Sequence, residues 1–130
     1  MALISKSGTP SLASPLPTGG DVLRGLKAGE DIAAGDVCYI KSDGLIWRSD
    51  GSAANAAAVG GWIAAAATTA GEACTCYRNV SFHYGSGLTP GAPYYVGATA
   101  GRLDTATTTG GTAVVARAID GTRIQFTGQA

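Results

Sequence analysis

Few side chains in this 130-residue chain could do chemistry. His83 is the one histidine, and the cysteines are Cys38, Cys74 and Cys76. Cys74 and Cys76 are two positions apart, so on a strand they face the same side. Together with Cys38 and His83 they would make up a Cys₃His zinc set. C-x-C alone lacks a second paired half at the usual ligand spacing, so the thiols read as small apolar core residues. Three cysteines cannot all pair within one chain, which fits synthesis in a reducing compartment. No metal and no cofactor is expected.

The acid–base inventory is equally thin. Glu30 and Glu72 each follow a glycine at the start of a turn, and the seven Asp lie in or beside turn sequences. No serine sits in a G-x-S-x-G elbow, and Ser86, within Tyr84-Gly85-Ser86-Gly87, reads as a turn serine. No glycine-rich loop ends in Lys and Ser or Thr, as a phosphate cradle requires. These absences predict a protein that is not an enzyme. The remaining candidates are aromatic. Tyr39, Trp47, Trp62, Tyr84, Tyr94 and Tyr95 are of the types favoured at protein interfaces. Tyr94 and Tyr95 point to opposite faces of their strand, so one of them is expected at the surface. The same rings could also stack on sugars.

Lys plus Arg and Asp plus Glu are both 9, giving a net charge of zero. With no basic run there is no electrostatic footprint for nucleic acid. No window approaches the ~20 apolar residues of a membrane-spanning helix, so no membrane partner is expected.

The elements that must position these residues are short strands and turns. Gly (20) and Ala (24) dominate the composition, so large apolar side chains are scarce and the core must be thin. Part of the missing burial is expected to come from partner chains. Asp43-Gly44 and Asp120-Gly121 each separate two β-rich runs and predict hairpins with φ > 0 at the turn. Gly60-Gly61 interrupts the Ala-rich stretch 53–69 and disfavours a helix there, so residues 61–68 are assigned to a strand. Residues 73–82 read as one long or bent strand, and residues 113–119 as another. The first 21 residues are rich in Pro, Ser and Gly and predict an extended arm with no core of its own. Leu3, Ile4, Leu12 and Leu16 would give this arm apolar anchors for a partner surface.

Two segments align with each other. IAAGDVCYIKSDGLIWR from Ile32 lies over LTPGAPYYVGATAGRLD from Leu88, matching Gly35 with Gly91 and Tyr39 with Tyr95. Downstream, GWIAAAATTAGEACTCY parallels TAVVARAIDGTRIQF. The domain organisation is therefore an arm over residues 1–21 and a β domain over 22–130, with an internal repeat at about 32–82 and 88–126. The expected fold class is all-β: a small barrel or sandwich built from two similar β units, with an extended N-terminal arm.

GSGLTPGAPYYVGATAGRLDTATTTGGTAVVARAIDGTRIQF, from Gly85, resembles the C-terminal half of the small capsid cement, or head-decoration, proteins of tailed bacteriophages. AGEDIAAGDVCYI and GWIAAAATTAGEACTCYRNVSF are similar to that family too, so the resemblance spans about Leu26 to Phe126. It implies a β-rich fold on the outer surface of the virion capsid and contacts with the major capsid protein. It also implies a homo-oligomer, with a trimer favoured, an N-terminal arm used in attachment, and no catalytic residues. The expected function is to clamp neighbouring capsid subunits against internal DNA pressure, in a protein made in the host cytoplasm. Similar Tyr-Tyr-Val hairpins occur in phage fibres, so the alternative is a tail-fibre or receptor-binding module contacting host glycans.

Overall fold

The computed structural model describes residues 3–15, 21–52 and 61–128, and the chain is all-β, with two antiparallel sheets, one of them curled into a half-barrel. Among the described residues eleven strands follow in order: β1 (Lys6–Leu12), β2 (Val22–Lys27), β3 (Val37–Ile40), β4 (Ile46–Arg48), β5 (Trp62–Ala64), β6 (Ala73–Tyr77), β7 (Val80–Gly85), β8 (Pro93–Val96), β9 (Leu103–Asp104), β10 (Ala116–Ala118) and β11 (Arg123–Phe126). One sheet is ordered β2-β6-β5-β3-β4, the other β1-β7-β11-β10-β8-β9. If β1 is set aside, the two orders are the same, with β2–β6 standing in for β7–β11.

The match extends to single hydrogen bonds. Gly35 N donates to Ala64 O and Gly91 N to Ala118 O, at 2.9 and 2.8 Å. Ala64 N donates to Asp36 O and Ala118 N to Ala92 O, at 2.9 and 3.0 Å. Gly35 and Gly91 have φ of 79° and 82°, a backbone state that costs a side chain but not glycine. The two units are thus structural counterparts, spanning 22–77 and 80–126. This places β7, including Phe82, in the second unit and not at the end of the first.

Residues 73–82 do not form one strand. Asn79 adopts φ 54°, which Asn tolerates better than most side chains, and its amide donates to Asp21 Oδ1 at 3.1 Å. The chain breaks there, and β6 and β7 run in different sheets. The strands predicted at 61–68 and 113–119 are shorter than expected, at Trp62–Ala64 and Ala116–Ala118. Residues 53–60 of the Ala-rich stretch lie outside the described residues. The Asp43-Gly44 turn has the expected positive φ at Gly44. Gly121 does not; there the Asp120 carboxylate holds the turn by accepting the amides of Thr122 and Arg123.

Two apolar clusters result. Ala28, Ile32, Cys38, Ile46, Ala64, Cys74 and Cys76 fill the first unit. Phe82, Tyr84, Tyr94, Leu103, Ile124 and Phe126 fill the second, where Val37, Ile63 and Tyr77 from the opposite face of the first sheet join them. The first sheet is therefore covered on both faces, so adjacent residues such as Val37-Cys38 and Ile63-Ala64 are all buried.

The N-terminal segment departs most from expectation. It is extended, but it does have a core: Ile4 is 7% exposed and belongs to the second cluster, and Leu12 packs against it. Lys6–Leu12 pairs with β7, and Leu3 bridges Asp104 of β9. The physical reason lies at the seams between sheet edges. In the first unit the chain closes on itself: Ala28 bridges Ile46, and Gly29 N donates to Ile46 O at 2.8 Å. In the second unit Leu103 stands where Ile46 does, and its carbonyl accepts Ile4 N at 3.0 Å. Gly85, the counterpart of Gly29, is turned back to Thr122 O. A Cβ built on Gly85 would lie 2.2 Å from Ser5 O, so the N-terminal segment fills the seam tightly at that point.

Candidate functional site

The thiols belong to the core of the first unit. Cys38, Cys74 and Cys76 are all free and buried, and the sulfurs of Cys74 and Cys76 lie 3.8 Å apart. Hydrogen bonding to Cys76, and then burial, raise the Cys74 thiol far above its ordinary range. Hydrogen bonding to Cys38, together with burial, raises that of Cys76. Thiols held protonated are poor nucleophiles and poor metal ligands. His83 is exposed on β7 in the other sheet, so the structure does not bring the imagined Cys₃His set together. Among the described residues no group of three or more His, Cys, Asp or Glu is placed to hold a metal ion.

The carboxylates are engaged one by one. Asp43, Asp50, Asp104 and Asp120 each accept the backbone amide two residues on, the turn-holding use of aspartate. Glu72 accepts Thr69 N and Asp31 accepts Ala70 N. Glu30 takes two nitrogens of the Arg48 guanidinium, at 3.2 and 2.9 Å. Asp21 pairs with Asn79 and Arg78. Asp36 pairs with Lys6 and accepts Ala33 N. All nine carboxylates of the chain thus hold a turn or an ion pair.

The six aromatic positions separate into two groups. Tyr84 and Tyr94, expected at an interface, are instead core residues at 0% and 2% exposure, because β7 and β8 turn those alternate positions inward. Burial pushes the Tyr84 phenol up to about 12, opposed by the neighbouring Arg102 guanidinium. Tyr39, Trp47, Trp62 and Tyr95 are half-buried. Tyr39 and Trp47 face each other across the β3–β4 hairpin. The Trp47 ring lies against Gly29, Lys41 stands 4.3 Å from its centroid, and its indole nitrogen donates to Asp43. Arg78 lies 4.6 Å from the Trp62 ring. Each indole therefore already carries a cation, which reduces the ring surface left for stacking a sugar.

Of the predicted arm residues, Leu3 is 37% exposed, Ile4 is in the core, Leu12 is half-buried, and Leu16 lies outside the described residues. Ile4 is thus spent on this chain's own core and cannot anchor a partner while it is docked. What the sequence did not reveal is how the segment is held. Lys6 pairs with Asp36, whose side chain is 5% exposed, Arg102 Nη2 donates to Ile4 O at 2.9 Å, and Pro10 is buried against Gly35. A signal was present: Lys6 is the only charge in the first 20 residues, and Asp36 falls where the repeat has Ala92.

These features define, among the described residues, a tandem β protein whose carboxylates are committed to its own turns and ion pairs and which adds an N-terminal strand to the second unit. Comparison with protein-family models, with curated proteins and with solved structures finds no match.

Proposed function

We propose that the protein is a structural component of a tailed-phage virion: a capsid decoration, or cement, protein that sits on the outer capsid surface and stabilises contacts between major capsid protein subunits. The observation that carries this reading is the commitment of the reactive groups. Nine carboxylates hold turns or ion pairs, the thiols are buried, and His83 is exposed on β7. A protein so built works through shape and surface. The sequence resemblance supplies the partner class. Among the described residues, exposed Leu3, Ile40 and Ile119, with half-buried Tyr39 and Tyr95, offer apolar surface for contact. A trimer at local symmetry axes would multiply such weak contacts through avidity.

The test mixes the purified chain with capsids lacking decoration protein, then sediments and images them. Saturable density at fixed lattice positions supports the reading. Chain that stays in the supernatant at every ratio, with bare capsids in the images, contradicts it.

A further inference from the structure

Alternation along β7, β8, β10 and β11 sends Phe82, Tyr94, Ala118 and Ile124 into the core and turns their neighbours outward. The register aligns those neighbours into rows. Pro93, Arg117, Gln125 and Ser81 lie side by side across β8, β10, β11 and β7. Arg123, His83 and Ser11 form the next row, across β11, β7 and β1. Ile119, 38% exposed, lies two residues beyond Arg117, and its amide donates to Arg123 O at 2.9 Å. We propose that this outer face of the second sheet is a docking surface for the acidic surface of another protein, whose carboxylates meet Arg117 and Arg123 while an apolar side chain covers Ile119.

Three observations carry the inference. First, the charge that the fold leaves uncommitted is positive. All nine carboxylates hold turns or ion pairs. Arg24, Lys27 and Arg117 are exposed, and among the described residues they make no ion pair, side-chain hydrogen bond or ring contact. Arg24 and Lys27 lie on β2, an edge strand with a register shift between Leu23 and Leu26, where charges serve to keep other strands off. Arg117 lies on β10, inside its sheet, where that role does not arise. Second, the groups around Arg117 are donors. Gln125, its cross-strand partner, turns its carbonyl oxygen to Ser81 Oγ at 2.9 Å, which leaves the amide nitrogen to donate. Asp120, beside the face, is held by the Thr122 and Arg123 amides and by the Arg123 guanidinium at 2.8 Å. A second copy meeting this face two-fold would set arginine against arginine, so the carboxylates must come from a different protein. Third, the first unit uses the same positions as a packing face: Val37, Ile63 and Tyr77, the counterparts of Pro93, Arg117 and Gln125, are buried against the second unit. The second unit keeps the flat face and replaces apolar groups with donors, which suits a contact specified by charge. Exposed Ile119 and half-buried Pro93 and Tyr95 add apolar area, as a protein interface requires, whereas two arginines neutralise few phosphates of a nucleic acid.

The experiment titrates the full, isotope-labelled chain with a capped glutamate-rich peptide carrying a central leucine and follows the amide NMR shifts. Saturable shifts centred on His83, Arg117, Ile119, Arg123 and Gln125 are expected. Arg117→Glu should weaken binding about tenfold with the thermal melt unchanged, because a like charge then faces the peptide. Lys27→Glu, on the other sheet, should bind as the native chain does. No saturable shift, shifts centred on Arg24 and Lys27, or equal binding by Arg117→Glu overturns the proposal. An equal response to oligothymidylate also overturns it, since the face would then take phosphate and not an acidic protein. No capsid enters the experiment, so this result is independent of the virion reading.

Discussion

The two units share a strand order and differ in what they enclose. The first packs Ala28, Cys38, Ala64 and Cys76 inside; at the matching places the second packs Tyr84, Tyr94, Ala118 and Ile124. Small side chains let the first sheet draw its edges together, so that Gly29 reaches Ile46 and the Trp47 ring seals the join. The bulkier contents of the second leave a seam wide enough for another strand. Interior volume, more than topology, decides which unit closes itself. Their outer faces differ as well. Val37, Ile63 and Tyr77 of the first sheet are buried against the second unit, whereas Pro93, Arg117 and Gln125 at the matching positions are half-buried or exposed.

Substitutions can break this comparison, and the largest effect is expected in the second core. Phe126→Ala should cost about 3–5 kcal/mol, read by denaturant unfolding, because large aromatic truncations leave cavities. Cys76→Ala in the first core should cost about 1 kcal/mol, within the ordinary range of small changes. Equal losses would mean that the two interiors are not distinct. Next comes the part-buried ion pair: Lys6→Met leaves the buried Asp36 carboxylate without its cation and should cost about 3 kcal/mol. Proteolysis of residues 3–12 should rise in parallel.

A matched glycine pair tests the seams directly. Gly85→Ala drives a methyl into the Ser5 backbone carbonyl and should displace the strand at about 2–3 kcal/mol. Gly29→Ala meets the Trp47 ring rather than backbone and should cost about 1 kcal/mol with a change in tryptophan fluorescence.

Alkaline pH acts on both cores. The folded-state values of Cys74, Cys76 and Tyr84 are raised. Stability from these groups is complete below the unfolded-state values, near 9 for the thiols and 10 for the phenol. It is lost as pH rises beyond them, because only the unfolded chain releases the protons. Thermal melts should therefore change little on their account up to about pH 8 and fall above pH 9. The smallest effect is Lys41→Ala, which removes the cation over Trp47 at a cost of about 0.5–1 kcal/mol.

Much of this architecture was legible in the chain. Gly35 and Gly91 marked matching strand entries because glycine takes their φ most readily, and the repeat exposed the common plan. The boundary between units was not legible, since the break at Asn79 depends on its reaching Asp21, far away in sequence. The inward turn of Tyr84 and Tyr94 was hidden for a similar reason: alternation fixes that neighbours face opposite ways but not which way is in. The apolar residues of the N-terminal segment were visible as anchors. Their seat was not, because the Lys6–Asp36 and Arg102–Ile4 contacts join residues 30 and 98 positions apart.

Residues 3–12 complete the second unit as a docked strand. Native-state hydrogen exchange at the Ile4 amide, which donates to Leu103 O, tests it most directly. Protection at Ile4 should match that of the β7 and β11 amides and should be lost in Lys6→Met. Exchange at Ile4 at the rate of a free peptide, with β7 and β11 still protected, would contradict it.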